Sequence, residues 1–180
     1  MDFNTAGAPN QWLSPSEALQ RFDPPEGVAT SLGMRQAATD IARFGFRIGQ
    51  LRLLIRPHTP SEVITQTPIY PMPNMPNWFI GVINLRGNLI PIFDLHRLLE
   101  TGEPGQSQTV LVLDQGGDGV GIPIDSLPYA VHLGEALHNI PPLHETLQEY
   151  VTTAYPTEGG IWLDFEHRNF FTALGLRLAS

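Results

Sequence analysis

The sequence predicts an all-β protein built from two small barrels, and three observations support this. Gly and Pro, 17 of each in 180 residues, far exceed the usual combined share of about 12%, which favours short strands and many turns over long helices. A chain of 180 residues is long enough to bury a real core, and a hydrophobic content of 42% argues against global disorder. The segment GNLIPIFDL (87–95) resembles GVGIPIDSL (119–127), which predicts two units of similar build.

The N-terminal 40 residues form a predicted arm with a short helix and a linker. The helix begins in Ser14-Pro15-Ser16-Glu17, where Ser14 can cap, Pro15 suits the first helical position and Glu17 completes a capping box. Pro24-Pro25 ends it, and residues 26–40 follow as the linker. A helix of about two turns is not stable alone, so this one must dock.

A β-hairpin is predicted next, over residues 41–48 and 51–55. Phe44, Phe46 and Ile48 alternate with polar residues or Gly, which is the period of a strand. Four arginines occupy the polar positions: Arg43, Arg47, Arg52 and Arg56. Two interpretations of these arginines stay open, a solvated face and a patch for an anion or an acidic partner.

A rigid Pro-rich loop separates a short strand at residues 63–64 from a second hairpin. Pro68, Pro71, Pro73 and Pro76 exclude a helix or a central strand there. The hairpin combines residues 78–85 with 89–95, and Gly87-Asn88 is its predicted tip. Pro91 predicts that its second strand is an edge or carries a bulge.

Residues 101–108 are polar, contain Gly and Pro, and form the predicted internal boundary. Beyond them we expect strands at 110–113 and 120–124, a short strand from Val131, one helical turn within 138–150, and a last strand pair at 151–155 and 160–165. The spacing of apolar residues over 170–178 predicts a closing helix.

Charge and composition exclude several functions. The net charge is −8, and residues 101–180 carry all of it with 10 Asp/Glu against 2 Arg. There is no Lys, so binding of nucleic acid is not expected, and no Cys, so disulfides, thiolate metal sites and a Cys nucleophile are excluded. No apolar run could span a membrane and no signal peptide is visible, which predicts a cytoplasmic protein without direct membrane insertion.

Motifs for catalysis or metal binding are missing. The nucleophile elbow, the Walker A loop and the HExxH zinc motif do not occur. A small metal-binding or hydrolytic protein remains a weak alternative, resting on Asp94, Asp125 and Asp164 or on His132, His138 and His144. We therefore predict no catalytic residue, no metal ligand and no cofactor.

Arg86 is the most informative single residue, because it follows the apolar run from Trp78 to Leu85. If buried, it needs a carboxylate partner. If exposed, it is a guanidinium held by a rigid hairpin and suited to recognising a carboxylate on a partner. The residues alone leave both interpretations open.

The segment WFIGVINLRGNLIPIFDL (78–95) resembles the signature of the CheW family of chemotaxis coupling proteins, in which a Pro-rich loop precedes GVxNLRG and a strand with Pro and Asp-Leu. The similarity extends more loosely from Phe44 to Phe165, including VGIPID (120–125) and Trp162-Leu163-Asp164. Ser14–Leu19 together with FGFRIG (44–49) resembles the PilI branch, which serves twitching motility.

The resemblance implies a fold of two packed five-stranded SH3-like β-barrels with short helices at the N-terminal arm and the C-terminus. Subdomain 1 would span about 41–100 plus the C-terminal tail, and subdomain 2 about 106–168. It also suggests that the neutral first barrel and the acidic second barrel face different partners.

The implied function is that of a non-catalytic adaptor, without enzyme activity. Its partners would be the cytoplasmic tip of a methyl-accepting chemoreceptor and the regulatory domain of a CheA-type histidine kinase, at membrane receptor arrays. The alternative within the family is a scaffold with one functional interface. By analogy Glu62 and Arg86 form an ion pair, and the implied partner-binding residues are Glu62, Asn84, Leu85, Arg86 and Gly87.

Overall fold

The computed structural model describes residues 41–102 and 109–178 except for the Ile41 side chain, and these residues form ten strands, three α-helices and one 3-10 turn, Gly116–Asp118. The predicted arm and its helix, residues 1–40, lie outside the described residues, as does most of the predicted boundary segment. The described fold belongs to one unit, Ala38–Ser180.

The strands form two five-stranded sheets, which confirms the all-β class. Sheet A contains β1 (Ile41–Ile48), β2 (Leu51–Leu54), β8 (Ser126–Leu133), β9 (Val151–Thr157) and β10 (Gly160–Phe165), in the order β8-β1-β2-β10-β9. Sheet B contains β3 (Ser61–Thr65), β4 (Phe79–Leu85), β5 (Asn88–Phe93), β6 (Thr109–Leu113) and β7 (Val120–Pro123), in the order β3-β6-β7-β5-β4. The helices are α1 (Leu95–Leu98), α2 (Glu145–Gln148) and α3 (His167–Leu178).

The predicted division into residues 41–100 plus the C-terminal tail and residues 106–168 does not follow the sheets. Sheet B is continuous in sequence over 61–123, whereas sheet A combines the first two strands with the last three. The near-repeat was misleading because its two copies enter the same sheet as β5 and β7, which are parallel neighbours with Ile92 opposite Gly121. For the same reason the neutral and acidic halves of the sequence do not correspond to two separate sheets.

Strand alternation divides the apolar side chains among three clusters. Ile83, Ile90, Ile92, Val110 and Val112 form a cluster confined to sheet B. Leu54, Val131, Leu133 and Trp162 form one confined to sheet A. The intervening residues, such as Phe46, Leu111 and Phe165, together with Phe170 and Phe171 of α3, build a larger core shared by both sheets. Each sheet therefore has buried apolar residues on both of its faces.

Pro91 was predicted to mark an edge or a bulge: β5 lies inside sheet B, so the edge is excluded, but the β4–β5 register shifts between Phe79 and Gly81, beside the Val82–Pro91 pair. Val82, opposite Pro91 on β4, directs its backbone N–H and C=O to Tyr70 at 2.9 and 2.8 Å. Because Val82 is not hydrogen-bonded to Pro91, the missing proline N–H costs the β4–β5 ladder nothing. Tyr70 belongs to the Pro-rich loop, which thus covers part of the exposed β4 edge.

Strand β8 was underestimated, because it begins at Ser126 and not at Val131. Pro128 lies within β8, and β8 is an edge of sheet A, where a residue without an N–H is tolerated.

The solvated interpretation of the arginines fails for Arg43, whereas the Arg56 side chain stays 41% exposed. The Arg43 side chain is only 9% exposed and binds Asp164 at 2.9 Å, and Arg56 pairs with Glu166.

Candidate functional site

A two-residue turn presents Arg86 at the tip of the β4–β5 hairpin. Leu85 and Asn88 are the last paired residues, so the loop is Arg86-Gly87, one position before the predicted tip. Both loop residues have positive φ, 52° for Arg86 and 87° for Gly87, as in the type I′ turns that match strand twist. The Asn84 side-chain oxygen accepts the Gly87 N–H at 2.9 Å. Asn84 and Gly87 therefore shape the turn that displays Arg86.

The expected ion pair between Glu62 and Arg86 is present and bidentate. The Arg86 Nη1 and Nη2 atoms lie 2.8 and 2.9 Å from the two Glu62 carboxylate oxygens. Glu62 is on β3, one edge of sheet B, and the hairpin includes β4, the other edge, so the pair joins the two ends of the sheet. The Arg86 side chain is 72% exposed. This resolves the two interpretations of Arg86: it is paired, and it remains at the surface.

The Glu62–Arg86 ion pair contributes little net stability to the fold. An exposed ion pair contributes at most about 1 kcal/mol. A non-glycine residue with positive φ costs on the order of 1 kcal/mol or more, which offsets most of that gain. The bidentate geometry instead fixes the direction of the guanidinium.

A cavity of about 260 Å³ lies beside the ion pair. Three of the five predicted site residues line it, namely Glu62, Leu85 and Arg86, whereas Asn84 and Gly87 do not. Asp114, directly after β6, also lines this cavity. The cavity therefore connects the predicted surface with a residue that the sequence did not single out.

Asp114 is the centre of a buried polar cluster. Its side chain is 5% exposed and accepts from His167 Nε2 at 2.9 Å and from Arg168 Nε and Nη2 at 2.9 and 2.6 Å. The hydrogen bond from Arg168 is the main reason that the pKa of Asp114 is lowered, against the effect of burial. Burial lowers the pKa of His167, and the neutral imidazole donates to the carboxylate. The cluster fixes the N-terminus of α3 to the end of β6.

Sequence reasoning missed this cluster because its members are 53 and 54 residues apart. Asp114 reads as an ordinary turn residue in Asp-Gln-Gly-Gly-Asp-Gly. Its positive φ of 63° fits that interpretation, and only the packing of α3 makes it buried.

The carboxylates considered for catalysis all serve other contacts. Asp94 caps α1, Asp125 binds His96 at 3.0 Å, and Asp164 binds Arg43. Within residues 41–102 and 109–178, no three His, Asp or Glu side chains are grouped closely enough to hold a metal ion. The helices among these residues are also too short or too polar to cross a membrane. The chemistry available at the Arg86 surface is recognition of a charged or hydrogen-bonding partner.

Comparison with known proteins gives a consistent picture. The family model "CheW-like domain" matches residues 44–168. Protein FrzA of Myxococcus xanthus is 37% identical over 68 residues, which cover 38% of this chain and 42% of FrzA. The chemotaxis protein CheW of Rhizobium meliloti is 32% identical over 84 residues, which cover 46% and 54% of the two chains. Protein PilI of Pseudomonas aeruginosa is 28% identical over 136 residues, covering 73% of this chain and 75% of PilI.

A solved structure also shares the fold. The scaffolding protein TtCheW of Thermoanaerobacter tengcongensis superposes with a TM-score of 0.58 at 19% identity, covering 70% of this chain and 88% of that one. The alignments with FrzA and with CheW of Rhizobium meliloti span only about half the length of those proteins. The family model, in contrast, spans more than half of this chain, from β1 to the start of α3. The chain belongs to the family of CheW-like domains.

Proposed function

We propose that this chain is a non-catalytic adaptor that couples a methyl-accepting chemoreceptor to a CheA-type histidine kinase. It acts in the cytoplasm at membrane receptor arrays, in chemotaxis or in type IV pilus twitching motility. Membership of the CheW-like family supports the adaptor class. The similarity to PilI over most of both chains supports the twitching system as one setting.

The Arg86 surface carries the receptor side of this proposal. An exposed guanidinium that donates two hydrogen bonds to a carboxylate of its own chain is already ordered, so it loses little conformational entropy when a partner binds. The turn holds Arg86 at a strained positive φ although the ion pair adds little stability. Such strain is expected at a site that serves recognition. In this proposal Arg86 and Glu62 contact the receptor tip, and Leu85 lines the cavity beside them. Asn84 and Gly87 shape the turn that displays Arg86.

Reconstitution tests the adaptor function directly. Purified chain, a cytoplasmic receptor fragment and the CheA-type kinase from the same organism are mixed at concentrations of tens of micromolar, of the order of weak specific affinities. We expect all three to sediment together and the kinase autophosphorylation rate to depend on the chain. Absence of a ternary complex contradicts the proposal, and binding to one partner alone identifies a scaffold with a single interface.

Arg86→Asn tests the assigned surface without disturbing the turn, because Asn tolerates positive φ. We expect receptor affinity to fall at least about tenfold, as for an arginine at the centre of an interface. The free energy of unfolding should change by less than about 1 kcal/mol, because the pair is exposed. Arg177→Gln, on the last turn of α3, is the control for charge. Unchanged receptor binding by folded Arg86→Asn removes Arg86 from the interface.

A further inference from the structure

Two arginines of the β1–β2 hairpin differ from most of the other arginines in the described ranges. Most arginines in the described ranges contact a carboxylate: Arg43, Arg56, Arg86, Arg97 and Arg168. Within the same ranges, neither Arg47 nor Arg52 has a carboxylate oxygen within 4.0 Å. The chain has a net charge of −8, so acidic residues outnumber basic ones and a shortage of carboxylates does not explain why these two arginines have none nearby.

Arg47 and Arg52 also lie directly opposite each other on neighbouring antiparallel strands. Directly opposed residues have Cβ atoms about 5 Å apart, and like charges in such a pair are destabilising. A fold that needed these positions only for solubility would be more stable with one of them acidic or neutral. The opposed arginines therefore indicate a requirement other than folding.

The surroundings of the pair supply more donors than acceptors. Arg47 Nε is buried without a hydrogen-bond partner, and its Nη2 reaches only the Gly49 carbonyl oxygen, at 3.5 Å. Ser126, opposite Arg47 on β8, has a buried hydroxyl without a partner. The Arg52 guanidinium lies against the α-carbon of Gly160, where any side chain would overlap it. Three parts of sheet A thus converge on one basic site.

The two carboxylates nearest in sequence to Ser126 and Gly160 are engaged elsewhere or face solvent. Asp125 precedes Ser126, but its carboxylate accepts from the Gly49 N–H at 2.5 Å and contacts His96 at 3.0 Å. Glu158, in the turn before Gly160, is exposed and forms no ion pair with Arg52 in the described structure.

Exposed apolar side chains adjoin the basic site. Leu127 follows Ser126 and is 62% exposed, and Tyr129, opposite Gly45, is 46% exposed with its ring edge-on to Trp162 at 5.6 Å. A small inorganic anion gains nothing from these groups. An acidic side chain flanked by apolar residues would contact both the arginines and the apolar side chains.

We propose that Arg47 and Arg52 form a binding site for a carboxylate side chain of a partner protein, carried by an acidic segment with apolar flanking residues. The site lies on sheet A and is separate from the Arg86 surface of sheet B. Of the two interpretations of the arginine pattern, this proposal favours a patch for an acidic partner over a solvated face. It does not depend on the receptor and kinase proposal.

The probe is an acetylated and amidated peptide, Ala-Leu-Glu-Glu-Leu-Ala, compared with the same peptide carrying Gln-Gln and with inorganic phosphate. Titration is followed by nitrogen–proton NMR of the full chain, observing the arginine Nε–H groups and the amides of Ser126 and Gly160. Arg47→Gln and Arg52→Gln are the test variants, and Arg177→Gln is the charge-matched control. Melting temperatures are measured for all of them.

We expect the Glu peptide to shift the Arg47, Arg52, Ser126 and Gly160 signals, with weaker binding of the Gln peptide and of phosphate. Each test variant should lose at least about tenfold in affinity. Melting temperatures should stay equal or rise, because the substitutions relieve repulsion. Four results overturn the proposal: no shifts at about 5 mM peptide, a concentration that detects even millimolar affinity; equal binding of the Gln peptide or phosphate; variants that bind normally; or a fall in melting temperature for both variants.

Discussion

Replacing Asp114 by Asn should destabilise the fold while leaving its backbone unchanged. The positive φ of 63° at this position is tolerated by Asn, so the substitution tests the charge and not the turn. Asn retains one acceptor, but its amide NH₂ must face donors from His167 or Arg168. A buried hydrogen bond to a charged group contributes about 1.5–3 kcal/mol, and we expect a loss near 2 kcal/mol because Arg168 is largely solvent-exposed.

Urea unfolding at pH 7 measures this loss, and a melting temperature lower by about 4–8 °C should accompany it for a fold of this size. Asp118→Asn, in the same loop but exposed, is the matched control and should change stability little. The pKa of Asp114 is lowered in the folded chain, so its contribution is present above its ordinary value of 3.8 and is lost as the pH falls through the folded value. The difference in free energy of unfolding between wild type and Asp114→Asn should therefore persist at pH 5 and disappear only below pH 4. Equal stability of Asp114→Asn and wild type at pH 7 refutes the role given to the cluster.

Two further substitutions test neighbouring parts of the argument. Burial lowers the pKa of His167 from 6.5, so the unfolded chain binds the proton first and the free energy of unfolding falls as the pH drops below 6.5. In His167→Gln the free energy of unfolding should therefore depend less on pH between pH 7 and 5. Urea titrations that give the same pH dependence for this variant and the wild type contradict the prediction. Gly81 has a φ of 139° and no room for a side chain beside the Tyr70 backbone, so Gly81→Ala should lower the free energy of unfolding by about 3 kcal/mol. Gly134→Ala, in open space, is its control, and equal urea midpoints for the two variants would show that the loop does not need Gly81.

The strands were predictable because local patterns determine them. The period-two run in β1 and the Gly-rich turn before β7 are properties of adjacent residues. The assignment of strands to sheets was not predictable in this way. A nine-residue similarity between β5 and β7 suggested two barrels, whereas the pairing of β2 with β10, more than 100 residues apart, decides the architecture. Nothing local to either strand encodes that parallel contact.

The candidate site shows the same limit. Asn84, Arg86 and Gly87 form one turn, so their arrangement follows from four consecutive residues, and the Glu62 pairing followed from the family resemblance. Asp114 and its partners His167 and Arg168 meet only through the docking of α3, and no spacing in the sequence indicates it.

The Arg86 surface of sheet B and the Arg47–Arg52 site of sheet A are connected through contacts of Asp125. Strand β5 leads from the Arg86 turn to α1, where His96 contacts Asp125. Asp125 donates its N–H to the Arg47 carbonyl oxygen at 3.1 Å and accepts from Gly49, so it attaches the β1–β2 hairpin to the segment through which the chain leaves sheet B. Contacts of this kind together with the shared core fix the relative orientation of the two surfaces. Transmission of a signal would require an element with two arrangements. If the adaptor proposal holds, the Asp125 junction keeps the two proposed binding surfaces at a set geometry, and no change in the structure of the chain is required.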